Sequence, residues 1–246
     1  MDARKNQDEK CLTESLDFDK RKCQNTPMKK IQPEIKRNYG GVKASAREEE
    51  RRNKLAAAGL EAFGTTGYAK TSIKQICEIA GLTERYFYES FKTKEELLGA
   101  VYTGVVEGLI EKAGARIEKG GSSPQEIVVE TLGIFYRVIS EDPRQARMLF
   151  FEILGVSPEI DRLYQEATLR LAGLVSRTLQ KAFPMLDQGI FDKSIIPVGL
   201  AGAVDLIAAN WMLAGFKTPV EEILSQVEFL VIMLDRFLKD NGVAAL

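Results

Sequence analysis

The fold is decided by residues 71–97, which read TSIKQICEIAGLTERYFYESFKTKEEL. Ile73 and Ile76 recur at helical spacing on one face, and Gly81 stands where a chain leaves a helix with positive φ. The spacing predicts a short helix that ends at Gly81 and a second that begins at Thr83, whose hydroxyl is expected to cap it. Two short helices joined by a tight glycine turn are typical of a DNA-reading helix-turn-helix.

The second helix is expected to present its first turn to solvent. Phe87 and Phe91 would point back into a small core. The residues that we expect to contact base edges are Thr83, Glu84, Arg85 and Tyr86. An arginine can donate two hydrogen bonds to guanine, a glutamate can accept a hydrogen bond from cytosine, and a tyrosine can pack against a thymine methyl. The alternative for Glu84 is that it only orients Arg85.

These residues resemble the tetracycline-repressor (TetR) family of bacterial regulators. The positions that match the family pattern, in order and without gaps, are Thr71-Ser72, Ile76, Ala80-Gly81-Leu82-Thr83, Phe87-Tyr88, Phe91, Thr93-Lys94-Glu95 and Leu97. Cys77 departs from the family's usual alanine, and Arg85-Tyr86 replace residues that are small in many members. The resemblance implies an all-α protein: an N-terminal three-helix helix-turn-helix DNA-binding domain, then a C-terminal helical domain for ligand binding and dimerisation.

The family resemblance also assigns phosphate contacts. The positions that it implies are Thr71, Ser72, Tyr88 and Lys94, with Lys70, Lys74 and Lys92 as helpers. For Tyr88 the alternative is core packing through its ring. Residues 20–54 hold 12 Lys or Arg against four Glu, whereas the whole chain has a net charge of only −1. A basic segment beside a helix-turn-helix favours contact with phosphates, although residues 47–54 alone would suggest a solvated helix face.

Composition argues against an enzyme. The chain contains no histidine, which excludes Ser-His and Cys-His nucleophile pairs and histidine general bases. We find no phosphate-binding loop and no nucleophile elbow, and we expect no catalytic residues, no metal site and no cofactor. Cys11, Cys23 and Cys77 have no metal-ligand spacing, and a redox switch using Cys11 and Cys23 is the less favoured alternative to plain thiols.

The chain divides by composition into four parts. Residues 1–43 are polar, basic and broken by Pro and Gly, which predicts a disordered extension that either follows DNA or is a nonspecific tail. Residues 44–93 are the predicted DNA-binding domain, residues 94–240 the helical effector-binding and dimerisation domain, and residues 241–246 a tail. The N-terminus carries charges where a signal peptide needs an apolar run, so we expect a protein of the bacterial cytoplasm, on the nucleoid when bound to DNA.

The body is predicted to be a series of amphipathic helices. Helices are expected at residues 94–119, 124–140, 143–155, 158–183 and 219–239, with the apolar run 195–216 before the last. That run approaches the length of a membrane span, but Asp205 and many small residues within it favour a buried helix, and we expect no membrane association. The apolar stripe of the last helix is wider than one body would cover, which fits a four-helix interface of a homodimer.

The family resemblance implies a small-molecule cavity within this body. The residues carried onto it are Phe135, Met148, Phe151, Leu154, Leu169, Ile207 and Trp211, and ordinary core packing is the alternative for each. An apolar cavity with a few polar anchors, chosen among Tyr136, Asn210 and Asp205, would suit a small hydrophobic or amphipathic effector.

The sequence therefore predicts a sequence-specific DNA-binding transcriptional regulator. Its expected partners are a double-stranded DNA operator of palindromic sequence, a second copy of the chain and a small-molecule effector that releases the repressor from its operator. The alternative is a helical ligand-binding or protein-interaction module that no longer reads DNA. An enzyme on a helical scaffold fits the histidine-free composition poorly.

Overall fold

The structure is a computed structural model that describes residues 39–184 and 195–240. Every regular element in these ranges is a helix, so the expected all-α fold is confirmed. The elements are α1 Tyr39–Thr65, α2 Ile73–Ala80, α3 Glu84–Ser90, α4 Lys94–Lys119, α5 Pro124–Glu141, α6 Pro143–Arg147 with a π-helical turn Met148–Glu152, α7 Pro158–Ala182, α8 Ile195–Leu213 and α9 Val220–Asp240. The predictions for residues 1–38 and 241–246, including those for Cys11 and Cys23, lie outside the described residues.

The first helix begins earlier than the sequence suggested. Gly40 and Gly41, which we placed in the extension, lie within α1. Once packing has stabilised a helix, each residue added to its end gains one backbone hydrogen bond without a new nucleation cost. This gain can outweigh the weak helical preference of glycine. Downstream, α1 buries Leu55 and Phe63 completely.

Three helices of the body begin at hydroxyl caps, close to the starts that the sequence predicted. Thr93, Ser123 and Ser157 each accept a hydrogen bond from a backbone N–H of the first turn. Helices α4, α5 and α7 pack against one another, α8 packs on α7, and α9 packs on α5. One hydrophobic cluster runs from the N-terminal helices through the body, and a smaller one joins α5, α7 and α9 around Phe183.

Helix α8 is less buried than we expected. Ala208 and Trp211 lie in the core, but Leu206 and Leu213 are 65% and 70% exposed. The reason is that α8 packs against α5, α6 and α7 with one part of its surface, whereas its apolar residues surround the axis. No helix within the described ranges is both long and apolar enough to cross a membrane.

Candidate nucleic-acid interface and ligand cavity

Helix α2 and the turn that follows have the geometry that the sequence predicted. Ser72 and Gln75 form a capping box, in which the Ser72 hydroxyl accepts from the Gln75 N–H at 3.2 Å and the Gln75 side chain accepts from the Ser72 N–H at 2.8 Å. Gly81 ends the helix with φ 65° and ψ 32°, a left-handed conformation that strains any residue with a Cβ. The N–H of Leu82 donates to the carbonyl of Cys77 at 2.9 Å, which turns the chain towards α3.

The predicted cap of α3 is only partly correct. Thr83 occupies the cap position and its carbonyl accepts from the Tyr86 N–H at 3.0 Å, but its hydroxyl makes no capping hydrogen bond. The expectation of a side-chain cap was therefore wrong, and in this short helix the Thr83 hydroxyl stays exposed to solvent.

The side chains of α3 divide between core and solvent as expected. Phe87 and Phe91 are buried, and their rings contact each other. The residues exposed on the other side are Thr83, Glu84, Arg85, Tyr86 and Tyr88. Arg85 has 84% of its side chain exposed, and its Nε donates to Glu89 at 3.0 Å. Glu89, and not Glu84, orients Arg85 in the free protein, since a residue four positions along a helix lies on the same face.

Helix α1 supports α3 through two arginines that sequence reasoning treated as phosphate contacts. The Arg51 guanidinium lies over the Tyr86 ring, 4.9 Å from its centre, and 3.8 Å from Glu89. Arg52 donates to the carbonyl of Ser90 at 2.6 Å and covers the ring of Phe91. A cation at a helix C-terminus satisfies a free carbonyl and suits the helix dipole. Nothing in the spacing of residues 47–54 distinguished these two arginines from their solvated neighbours.

The residues predicted to contact phosphates lie in different surroundings. Ser72, Lys74 and Lys92 are exposed, as is Lys70. Thr71 is buried, and its hydroxyl donates to the carbonyl of Gly67 at 2.8 Å. The exposed side chains can be reached by an external ligand, although the Ser72 hydroxyl also bonds to Gln75 in the capping box, whereas the Thr71 hydroxyl is buried and bonded within the protein.

Lys94 holds the loop between α1 and α2. Its ammonium donates to the carbonyls of Tyr68 and Thr71, both at 2.8 Å, and lies 4.3 Å from the centre of the Tyr68 ring. Burial lowers the pKa of Lys94, and burial together with the nearby Glu95 raises the pKa of Tyr68. Three interactions with one loop make Lys94 a bridge between the DNA-binding helices and α4.

A second bridge joins the N-terminal helices to the body. The Glu152 carboxylate, at the end of the π-helical turn, accepts from the backbone N–H of Tyr68 at 2.6 Å and from Arg147 at 2.7 Å. Arg147 also donates to the carbonyl of Thr65 at 2.8 Å. We call Arg147 and Glu152 the interdomain clasp. No sequence pattern indicates the clasp, because its partners in α1 and the next loop are backbone groups.

Close packing of α1 and α6 accompanies the clasp. Arg144 forms ion pairs with Glu61 of α1 and with Asp142, and the arginine holds the pKa of the Asp142 carboxyl below its usual range. Gly64 lies so close to Arg144 that a Cβ on the glycine would overlap the arginine's Cβ and backbone. Arg144 therefore joins α6 to α1 both by direct packing and by an ion pair.

A cavity of about 290 Å³ lies in the body among α4, α5, α7, α8 and α9. Of the residues that the family resemblance implied, Phe135 and Ile207 line it. The other five do not line it. Met148 and Trp211 are buried in the core, and Phe151, Leu154 and Leu169 are exposed to solvent. The polar candidates Tyr136 and Asp205 line the cavity, whereas Asn210 is exposed and donates to the carbonyl of Leu206.

Comparisons with known proteins agree with this architecture. Residues 55–101 match the family model described as bacterial regulatory proteins, tetR family. The fatty acid degradation regulator FadR of Bacillus halodurans has a similar fold, with a TM-score of 0.63 at 16% identity over 74% of this chain and 94% of that one. FadR of Bacillus subtilis, solved in complex with stearoyl-CoA, gives a TM-score of 0.63 at 16% identity over 72% and 96%.

A third solved structure, a TetR-like transcriptional regulator from Rhodococcus sp. RHA1, gives a TM-score of 0.58 at 22% identity over 74% of this chain and 93% of that one. At these identities the structures establish the shared fold, and the match over α1 to α4 establishes the type of DNA-binding domain. Residues 55–101 are therefore similar to the tetR family of bacterial regulatory proteins, and the helical fold around them is shared with solved bacterial regulators.

Proposed function

We propose that this protein is a homodimeric transcriptional repressor of the bacterial cytoplasm that a small hydrophobic or amphipathic molecule releases from a palindromic DNA operator. The observation that carries the proposal is the exposed first turn of α3, because residues 83–86 present hydroxyl, carboxylate, guanidinium and phenol groups side by side to solvent. These are the groups that read base edges in a major groove.

The expected contacts divide into base-reading and positioning groups. Arg85, Glu84, Tyr86 and Thr83 would meet base edges. Exposed side chains on both sides of them would hold phosphates: Ser72, Lys74, Tyr88 and Lys92. The N-terminus of α2 adds backbone N–H groups, which favour an anion. Thr71 and Lys94 are expected to act by fixing the loop that carries Ser72, since each already has intramolecular partners.

Dimerisation is supported by the uncovered faces of α8 and α9. Leu206, Leu213, Phe229 and Met233 are more than half exposed in the single chain. A second copy would bury them in a four-helix interface, and two copies of α3 about 34–36 Å apart would read successive turns of a palindrome. Leu230 belongs both to this face and to the cavity wall, so the partner would also cover the cavity mouth.

Release requires that the cavity and α3 communicate. The cavity is lined by residues of α4 and α5. Helix α5 is followed directly by α6, which contacts α1 through Arg144. A ligand that binds better to one arrangement of these helices would change the distance between the two DNA-binding domains of the dimer, and operator affinity would fall.

Fluorescence anisotropy with DNA from upstream of the protein's own gene tests the first half of the proposal. We expect this DNA to bind about a hundredfold more tightly than scrambled DNA at the same salt concentration. Arg85→Ala should remove the preference. Arg162→Ala is the matched control, since Arg162 is an exposed arginine of α7 paired with Glu159.

If the upstream DNA binds no more tightly than scrambled DNA, the operator can be sought by selecting the fragments of the whole genome that the protein binds. A protein that selects no sequence, or whose selected sequence binds Arg85→Ala equally well, would contradict the proposed role of α3. In that case the helical module without DNA reading would be the better description.

A further inference from the structure

We propose that the cavity takes a cationic amphipathic ligand, an amine on an apolar chain or ring system, whose ammonium group pairs with Asp205. The inference rests on the proposed function, because it names the chemical class of the effector. It depends on three properties of the described part of the wall: one carboxylate, hydroxyl groups that already contact backbone carbonyls, and aromatic rings near the carboxylate.

Asp205 is the charged group of the wall. It lies on the inner side of α8, partly buried, and its carboxylate makes no hydrogen bond or ion pair with the described residues. No lysine or arginine lines the described part of the cavity. A carboxylate without a partner in an apolar wall is costly, and a bound cation removes that cost.

The hydroxyl groups in the described part of the wall already point at backbone carbonyl acceptors. Thr131 donates to the carbonyl of Ile127 at 2.6 Å, and Thr178 donates to that of Leu174 at 2.8 Å. The Tyr136 hydroxyl makes a longer contact, 3.5 Å, with the carbonyl of Val204. The wall therefore offers acceptors, so a ligand must bring the donors. A carboxylate or phosphate ligand would face Asp205 with nothing to neutralise it.

Aromatic rings strengthen the preference for a cation. Phe135 and Tyr136 both line the cavity, with their ring centres 5.4 Å apart. Ring faces attract an ammonium group electrostatically. The volume of about 290 Å³ corresponds to about ten water molecules at roughly 30 Å³ each, enough for a chain or ring of modest size.

The titratable groups that face Asp205 do not change this conclusion. They are Tyr102 of α4 and Tyr136 of α5, with Tyr164 of α7 beside Tyr102. Burial raises the pKa of Tyr102, and it raises the pKa of Tyr136 to about 12, so neither carries charge near neutral pH. Burial raises the pKa of Asp205 itself to about 6, so the carboxylate is mostly ionised at pH 7.5 and mostly protonated at pH 5.

Calorimetric titration of the full chain without DNA tests the inference with four probes of equal chain length: decylamine, decanol, decanoate and decanoyl-CoA. We expect decylamine to bind about tenfold or more tightly than each of the others at pH 7.5, and its affinity to fall about tenfold at pH 5. Asp205→Asn should remove the advantage of the amine over decanol. Asp161→Asn is the matched control and should preserve the advantage, because Asp161 is an exposed aspartate of α7 that does not line the cavity.

Three results would overturn the proposed ligand class: tighter binding of decanol, decanoate or decanoyl-CoA than of the amine, an amine affinity that Asp205→Asn leaves intact, or no binding of any probe. None of these measurements uses DNA. They can therefore overturn the proposed ligand class without bearing on the proposed DNA binding. Specific DNA binding together with tight decanoyl-CoA binding would keep the regulator and reject the cationic ligand.

Discussion

Asp205 is expected to lower the stability of the unliganded protein at neutral pH. Burial raises the pKa of its carboxyl from the ordinary 3.8 to about 6. At about pH 3 and below, the carboxyl is largely protonated in both the folded and the unfolded state, and it has little effect. Between about pH 3 and 6 the unfolded state loses its proton first, so the free energy of unfolding falls as pH rises. A difference of about two pKa units, at about 1.36 kcal/mol each, corresponds to about 3 kcal/mol above pH 7.

Asp205→Asn removes the charge while keeping the size of the side chain. We expect the variant to be more stable than the parent by up to about 3 kcal/mol at pH 8, and the two to become equal near about pH 3. Urea unfolding followed by circular dichroism, at one protein concentration because the dimer's stability depends on it, measures the difference at each pH.

A matched control separates this effect from the general loss of an aspartate. Asp161 is exposed at the start of α7, where its carboxylate accepts from the Gly155 N–H at 3.3 Å. Asp161→Asn should give no increase in stability at pH 8. The reasoning is refuted if Asp205→Asn is less stable than the parent at pH 8, or if its advantage is the same at pH 5 and pH 8.

Further predictions concern the turn, the clasp and the dimer face. Gly81→Ala should lower the free energy of unfolding by about 1 kcal/mol, and Gly81→Asn by less, because the cost is the left-handed backbone alone and nothing lies within 4 Å of the added Cβ; urea unfolding of both variants would show whether they rank otherwise. Glu152→Ala should destabilise by about 1–2 kcal/mol, because Arg147 and the Tyr68 N–H lose their acceptor; an unchanged melting temperature would contradict the clasp. Leu206→Glu should give monomers that bind operator DNA weakly, and sedimentation of an intact dimer would count against the proposed interface.

The sequence predicted the local elements of the fold well. Capping hydroxyls and turn glycines act within a few residues, so Thr93 and Gly81 could be placed from their neighbours alone. The division of α3 into a buried Phe87 and an exposed Arg85 followed in the same way, because helical periodicity is also a local property. These are the features that fix the DNA-binding domain.

Contacts between distant segments could not be predicted in the same way. Glu89 and Arg51 are 38 positions apart, and no spacing rule indicates that an arginine of α1 meets a glutamate of α3. The cavity is a similar case, since Leu169 and Ile207 look equally suitable in sequence, yet Leu169 faces solvent and Ile207 lines the wall. Which apolar residue borders a void depends on how five helices pack, and that is a property of the whole body.

The interdomain clasp has a consequence for how such regulators can be recombined. Arg147 and Glu152 hold the carbonyl of Thr65 and the N–H of Tyr68, which are groups that almost every amino acid provides at those positions. The DNA-binding domain can therefore change its side chains, and with them its operator, without losing this attachment. Grafting the DNA-binding helices of another regulator onto this body would require chiefly a small residue at position 64 and an acidic one at position 61, and such a hybrid would keep the contacts of Arg147 and Glu152.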